Sequence, residues 1–459
     1  MTEKTPLTIR LAYASPSFAL AVLGIPLFIY IPKFYTDVVG MDISLLAWVV
    51  MSVRIFDAVS DPLIGLLSDH SHTRFGRRRP YMFLGALALA AVIWQLFTPP
   101  ETDAAGAAWW FSLCMFTLSV FWTAVQVPYE ALGPEITFDY HQRTELFAWR
   151  DGFLLLGTLF AAATPALLDQ VLDLGPGAAD QRRKFLWFAS IYAPLLVVLV
   201  WWCVAAVREK PHAAKESWPG LGDSLRIVIR NRPFIILLAG YTISAFGANL
   251  PATLILYYVQ YVLGSESADI FLLIYFCSGI LMLPVWVRLA KKLGKKNAWL
   301  AAMALNTGAF VGVFFLGRGD LWAYGMLTLL SGLGFGATVA LPSAMQADVI
   351  DYDEYLSGAR REGQYIGIWS IARKLASALG IGLALALVGA AGYEPNLEQS
   401  DQVVFTLRVM YALVPCLCNA AAFLIALAYP IGPHEHERIL QAVETRRQGL
   451  PAVNPLSKE

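Results

Sequence analysis

Apolar runs long enough to cross a bilayer recur about twelve times along this chain, at roughly 11–36, 43–68, 80–98, 107–130, 147–170, 186–207, 233–262, 269–290, 297–316, 321–345, 364–391 and 403–430. About 20 residues of helix match the ~30 Å thickness of membrane hydrocarbon, where a helix satisfies its own backbone polar groups. A chain of 459 residues that is 57% hydrophobic and 15% charged carries more apolar surface than a soluble core of that size hides. The reading is therefore an all-α polytopic membrane protein. A net charge of +0 gives no reason to expect nucleic acid as a partner. The five cysteines (Cys114, Cys203, Cys277, Cys416, Cys418) all fall inside apolar runs without metal-ligand spacing and read as packing residues.

An even number of spans places both termini on one side. The basic residues collect in the loops after even-numbered helices: Arg74 to Arg79, His141 and Arg143, Arg208 and Lys210, Lys291 to Lys296, and Arg360 with Arg361. The positive-inside bias makes these loops, and both termini, cytoplasmic. Arg182, Arg183 and Lys184 go against the pattern and are outvoted by the other loops. No cleavage-like site follows the short polar N-terminus, so helix one is the targeting signal. The longest polar connection separates six helices from six, which gives bundles at 1–207 and 232–432, a linker at 208–231 and a cytoplasmic tail at 433–459. Within the linker, Leu221 to Arg230 suits a short surface helix. The tail has a helical pattern from Glu435 to Arg447 and reads as dispensable.

The second run holds Arg54, Asp57 and Asp61 three and four residues apart, on one helix face. An ionised side chain near the bilayer centre costs at least ~2.5–3.5 kcal/mol, so these groups must face each other, water or a solute. The plain alternative is a structural Arg–Asp pair, yet one arginine does not compensate two carboxylates, and the surplus negative charge suits a small cation. The halves also echo each other at a distance of about 214 residues: Pro128 matches Pro342, Glu135 matches Asp348, and Arg143 with Glu145 resembles Arg361 with Glu362.

Five stretches in order, FYTDVVG (Phe34–Gly40), RIFDAVSDPLIG (Arg54–Gly65), RFGRRRP (Arg74–Pro80), VPYEALGPEIT (Val127–Thr137) and DYDEY (Asp351–Tyr355), carry a resemblance to a known family. The chain resembles the glycoside–pentoside–hexuronide:cation symporters, the melibiose-permease-like branch of the major facilitator superfamily, over nearly its whole length. The resemblance implies the major facilitator fold, with 12 transmembrane helices in two pseudo-symmetric six-helix bundles. It also implies a cation site at Asp57, Asp61 and Thr123, with Ser60 where the family has asparagine and Gln126 where it has a helix-four aspartate. The cavity-lining arginine of helix five and lysine of helix eleven correspond to Arg150 and Lys374. The family's sugar-binding aspartate of helix one is replaced by Ala21, and a helix-four tryptophan by Glu130. Galactosides are thus poorly supported as the solute.

Around these positions, Trp149, Arg150, Tyr365, Trp369 and Arg373 mix aromatic faces with charge, which suits stacking on a sugar ring or holding an anionic head group. Each aromatic has helix packing as its plainer reading, whereas charge inside an apolar span needs a reason. Lys374 lies about three turns into helix eleven, deep enough to reach helix two. Asp69 with Arg77, Arg78 and Arg79, together with Arg143, Glu135, Asp348 and Arg361, reads as a cytoplasmic gate; simple topology signalling is the alternative. All six histidines lie outside the apolar runs, and H-E-x-x-H, G-x-S-x-G and Walker patterns are absent.

The expectation is a non-enzymatic symporter of the bacterial cytoplasmic (inner) membrane that acts as a monomer, takes up a polar organic solute (a sugar or glycoside by resemblance) and couples it to Na⁺ or H⁺. No other cofactor or metal is expected; membrane lipid is the surrounding partner. A Na⁺-coupled carrier of an amphipathic lipid such as a lysophospholipid is the alternative within transport. An intramembrane enzyme or a solute receptor is the alternative from another class.

Overall fold

The computed structural model describes residues 6–71, 73–136, 140–175, 177–207, 209, 231–358, 361–448, 450 and 453–456. The expected linker helix at 221–230 lies outside them. The described residues are helical, with spans α1 (Leu7–Val39), α2 (Ile43–His70), α3 (Arg79–Phe97), α4 (Ala104–Ile136), α5 (Tyr140–Leu172) and α6 (Ala178–Ala206). The second set is α7 (Arg232–Val262), α8 (Ala268–Leu293), α9 (Lys295–Val313), α10 (Leu321–Ser357), α11 (Glu362–Ala390) and α12 (Asp401–Leu427), followed by a tail helix, α13 (Pro433–Arg447).

Eleven of the first twelve helices are long and apolar enough to cross a membrane by length and composition, and α9 is the exception. It opens on Lys295, Lys296 and Asn297 and carries Asn306 and Thr307, which lowers its hydropathy. Its 19 residues still reach about 28 Å, and its flanks pack on α10 and α12 within the same layer. The motifs at Val127–Thr137 and Asp351–Tyr355 run past the apolar stretches that end near 130 and 345, and the helices continue through them: α4 runs to Ile136 and α10 to Ser357. Pro128 and Pro342 fall inside those helices without ending them. In α1 the helix widens into π turns at Pro26–Tyr30 and Tyr35–Val39, next to Pro26 and Pro32, whose missing N–H groups break the regular ladder.

The first six helices pack mainly among themselves, α1 along α5 and α6 and α3 against α4 and α6, and the last six repeat the scheme with α7 along α11 and α12 and α9 against α10 and α12. The two sets meet along α2 with α11 and α5 with α8. A close approach of backbone inside the first set is at Gly157 of α5, where an added Cβ would lie 2.6 Å from the Phe18 carbonyl oxygen and 2.9 Å from the Ala21 Cβ of α1.

The internal repeat is visible in side-chain detail. Gly76 and Gly294, both at positive φ (105° and 84°), turn the chain into α3 and α9. Just after each, a cation reaches back to a carbonyl on the fourth helix of its set: Arg78 to Ala131, and Lys295 to Ala344 at 3.2 Å. The next cation holds the end of the sixth helix: Arg79 Nε to the Val204 oxygen at 2.8 Å, and Lys296 Nζ to the Leu427 oxygen at 2.7 Å. Cations at helix C-termini meet the negative end of the backbone dipole. Lys184, which went against the charge pattern of the loops, is buried and paired with Asp169 at 2.7 Å, and Arg182 donates to the Pro99 oxygen at 3.2 Å. Both charges are answered locally.

Candidate functional site

Half-way along α2, Asp57 and Asp61 stand one turn apart, and α4 offers a hydroxyl to each. Ser119 Oγ donates to Asp57 Oδ1, and Thr123 Oγ1 donates to Asp61 Oδ1 at 2.8 Å; both pairs are separated by 62 residues. Parallel helices in one register bring equal intervals together, so the 57/61 step of α2 meets the 119/123 step of α4. Arg54 lies one turn earlier, its Nη1 3.4 Å from Asp57 Oδ2 and its guanidinium 3.9 Å above the Phe28 ring. Asp57 is only 7% exposed.

From the other half, Lys374 of α11 donates to Asp61 Oδ2. Asp61 therefore receives a hydroxyl from its own bundle and an ammonium from the opposite one. The side chains of this pair are 23% and 20% exposed, so water reaches it in part. Two carboxylates with two hydroxyls make a set of hard oxygen donors, suited to a small cation or a proton, and the lysine occupies one of them.

Not every expected ligand joins the set. The Ser60 hydroxyl donates to the Asp57 carbonyl at 3.4 Å, within its own helix. Gln126 accepts from Trp122 Nε1 and donates to Glu130 Oε1 at 2.9 Å, so its amide is turned along α4. The amide lacks the charge that would draw it toward Arg54 or Lys374, and i,i+4 partners are nearer. Ser119 takes the place these two were expected to fill.

On the solute side, Arg150 donates to Asp151 at 2.8 Å and covers the Phe147 ring, and the adjacent Trp149 is exposed against the edge of Phe153. Glu130 is answered by Gln126 and not by Arg150. Trp369 stacks on Tyr241 of α7 at 4.2 Å, with 7% of its surface exposed. Tyr365 corrects the sequence reading: it is fully buried against Phe234, and its hydroxyl accepts from Asn231 at 3.1 Å. It packs α7 on α11 and offers a solute nothing. Arg373, one residue before Lys374, is exposed and makes no ion pair or hydrogen bond among the described residues.

Several of the expected gate residues make contacts inside their own bundle. The backbone N–H groups of Arg77, Arg78 and Arg79 all donate to the Glu209 carboxylate, at 2.8–2.9 Å. Arg361 forms a two-pronged pair with Asp353 at 2.7 and 3.0 Å. Asp348 accepts from Lys295 at 2.6 Å and faces His436 of the tail helix at 3.4 Å, while His436 lies 3.1 Å from Asp351. In these described contacts the residues meet carboxylates and carbonyls on neighbouring helix ends. The tail is docked on α10, so the reading of it as dispensable changes. The side chains of Asp69, Glu135 and Arg143 lie outside the described residues.

The ties between the bundles gather at the opposite end, on Asp37. Its carboxylate takes Lys33 and Thr36 from α1, Tyr393 at 2.6 Å and Tyr261 at 3.3 Å from the second set, and its backbone oxygen takes Asn396 at 2.6 Å. Thr36 also meets the Tyr257 hydroxyl at 3.1 Å, and Lys33 lies 5.2 Å from the ring centres of Tyr257 and Tyr261. Beside this knot is a cavity of about 430 Å³, lined among others by Lys33, Asp37, Lys184, Glu266 and Asp269. FYTDVVG served above only as a family motif; the signal in it is an acidic residue at the end of an apolar helix with a lysine four before it.

Two six-helix sets, exchanged by the repeat and meeting through α2 with α11 and α5 with α8, are matched over residues 12–433 by a family model described as MFS/sugar transport protein. The chain belongs to that family. The MFS assignment agrees with the resemblance found in the five motifs. The glucuronide carrier protein homolog of Escherichia coli (strain K12) is 26% identical, over 92% of this chain and 92% of that one. The isoprimeverose transporter of Lactiplantibacillus pentosus is 26% identical, over 96% of this chain and 92% of that one. Among solved structures, the nucleoside transporter NupG shares the MFS fold at a TM-score of 0.63 and 14% identity, covering 92% of this chain and 98% of that one. The protein is an integral membrane transporter of the sugar-carrying MFS type. Neither named relative is a lipid carrier, and the lysophospholipid alternative has no support from them.

Proposed function

We propose that this MFS protein is a cation-coupled symporter that brings a sugar-type solute into the cell across the cytoplasmic membrane, as a monomer and by alternating access, with Asp57 and Asp61 as the ion site. The observation that carries this reading is the placement of Asp61 between Thr123 of its own half and Lys374 of the other. An ion on Asp61 must compete with a contact that joins the two halves, so occupancy and conformation are linked. The glucuronide and isoprimeverose relatives support a glycoside as the solute. The basic loops support cytoplasmic termini, and with them the Asp37 knot faces outward. Na⁺ and H⁺ both fit the oxygen donors, and no other cofactor enters the reading.

The test is uptake of labelled glycosides into proteoliposomes under an imposed Na⁺ or pH gradient, compared with Asp57→Asn and Asp61→Asn. Concentrative uptake that collapses with an ionophore and is lost in both variants is expected. Normal accumulation in both variants would remove the aspartates from the coupling site.

A further inference from the structure

Three of the four cations around the central site have a carboxylate: Arg54 has Asp57, Lys374 has Asp61 and Arg150 has Asp151. Arg373 has none among the described residues. An unanswered guanidinium in a membrane span is costly, and a side chain on the lipid-facing surface would escape by snorkelling to an interface. The surroundings of Arg373 argue against that escape. One turn before it, Trp369 is stacked on Tyr241 of α7; one turn after it, Ser377 Oγ donates to Asn249 Oδ1 of α7 at 3.1 Å. Residues 369, 373 and 377 share the face of α11 that is turned to α7. Arg373 is nevertheless exposed, and Lys374 beside it reaches Asp61 of α2. It is therefore exposed to the space enclosed by α2, α7 and α11, next to the ion site.

From this we infer that the solute carries an anionic group, a carboxylate or a sulfonate, and that Arg373 is the residue that selects it. This rests on the sugar-transport reading above and adds the charge of the sugar to it. The guanidinium's planar set of donors fits a carboxylate or sulfonate by two hydrogen bonds, and Tyr241 offers a hydroxyl beside it. Glu130, two turns beyond Thr123 on α4, is held by Gln126 and is not placed to neutralise Arg373. The bound solute supplies the missing charge. Since Arg373 is next to Lys374 on α11, the anion would also partly compensate the ammonium of Lys374 when an ion displaces it from Asp61 and leaves it unpaired.

The test uses the full chain in detergent, with methyl β-D-glucoside, methyl β-D-glucuronide and the corresponding methyl 6-deoxy-6-sulfoglucoside as probes. Binding is measured by calorimetry in wild type, Arg373→Gln and Arg373→Met; neither change leaves a buried group unsatisfied, and thermal unfolding checks that each variant folds. Wild type should bind one of the acidic probes roughly tenfold or more tightly than the neutral one, the size of one charged hydrogen bond. Both variants should bring the two affinities within about threefold. If wild type binds the neutral glycoside as tightly as either acid, the inference is overturned while the sugar reading stands. If the acid preference survives in both variants, the anion is read elsewhere and Arg373 is not the selector. If none of the three probes binds wild type, the sugar reading fails and takes this inference with it.

Discussion

Lys374→Met is the most informative single change, because it removes the ammonium from Asp61 while keeping most of the side chain's volume. Exposed ion pairs contribute about 0.2–1 kcal/mol, and breaking a fully buried one costs ~3–5 kcal/mol. With side chains 20% and 23% exposed, the Lys374–Asp61 pair lies between these limits, at about 2 kcal/mol. In the wild type an incoming cation must displace the lysine and forfeit that contact. In the variant it does not, so its affinity should rise roughly 30-fold. Substrate affinity should at the same time lose its dependence on the ion, since the released lysine no longer joins the two events. The assay is a titration of purified protein with Na⁺, and separately with acid, followed by the thermal unfolding midpoint, with and without a bound glycoside. Lys374→Arg serves as control and should keep the competition. An ion affinity in Lys374→Met equal to or weaker than wild type would refute the reasoning, because the lysine would then be a ligand organiser and not a competitor.

Two further outcomes follow from the packing and the tail. Gly157→Val should destabilise the protein by ~1–3 kcal/mol, because its first carbon already meets the Phe18 carbonyl and Ala21 at contact distances that only glycine allows; a thermal midpoint equal to wild type would show that α1 yields freely. Hydrogen bonding to Asp351 first, then the charge of Asp348, raise the His436 ring above the usual histidine value against desolvation and the opposing Lys295. Its docking contribution is then complete below about pH 6.5 and fades as pH rises through the raised value, so amide protection of residues 433–447 should fall with rising pH above that point in wild type and stay flat in His436→Gln.

What could be read from the sequence follows the strength of the physical signal. Long apolar runs announce spans because hydrocarbon tolerates little else, and only α9 is weakened, by the lysines and asparagine that open it. Charges inside spans were equally legible: Asp57, Asp61 and Lys374 stand out as exceptions to an apolar rule, and the structure brings all three together. Uncharged partners were not. Ser119 looks like any small helix residue until its interval to Thr123 is compared with that from Asp57 to Asp61. Tyr365 shows the reverse error, since an aromatic near charges resembles a sugar platform in sequence yet serves as packing between α7 and α11. Cations at loop ends are hard to place from sequence for a similar reason. Charge alone does not say whether Arg79 will seek a partner bundle or the Val204 carbonyl beside it, and the nearer acceptor wins.

The distribution of contacts divides the parts that move from those that do not. Arg78, Arg79, Lys295 and Lys296 hold helix ends within their own sets, so a rocking of one set against the other leaves these bonds intact and contributes nothing to the difference between states. The difference must reside in contacts that cross between sets, chiefly Lys374–Asp61 and the Asp37 knot. Shifting a two-state equilibrium from 1:99 to 99:1 takes about 5.5 kcal/mol. Releasing Lys374 supplies only about 2 kcal/mol of that. An ion alone is therefore too weak to open the end closed by Asp37, where four hydrogen bonds and the contacts of Lys33 with the Tyr257 and Tyr261 rings would have to be given up together. The remainder must come from the solute, which is what obligatory coupling requires: neither ligand by itself repopulates the other state. Weakening the knot with Tyr393→Phe removes one of those bonds, about 1 kcal/mol by usual values, and should let the ion shift the equilibrium measurably without solute. Uncoupled ion leak in that variant, seen as a gradient-dissipating current in proteoliposomes, is the expected sign; a tightly coupled variant would mean that the Asp37 knot does not hold the closed end.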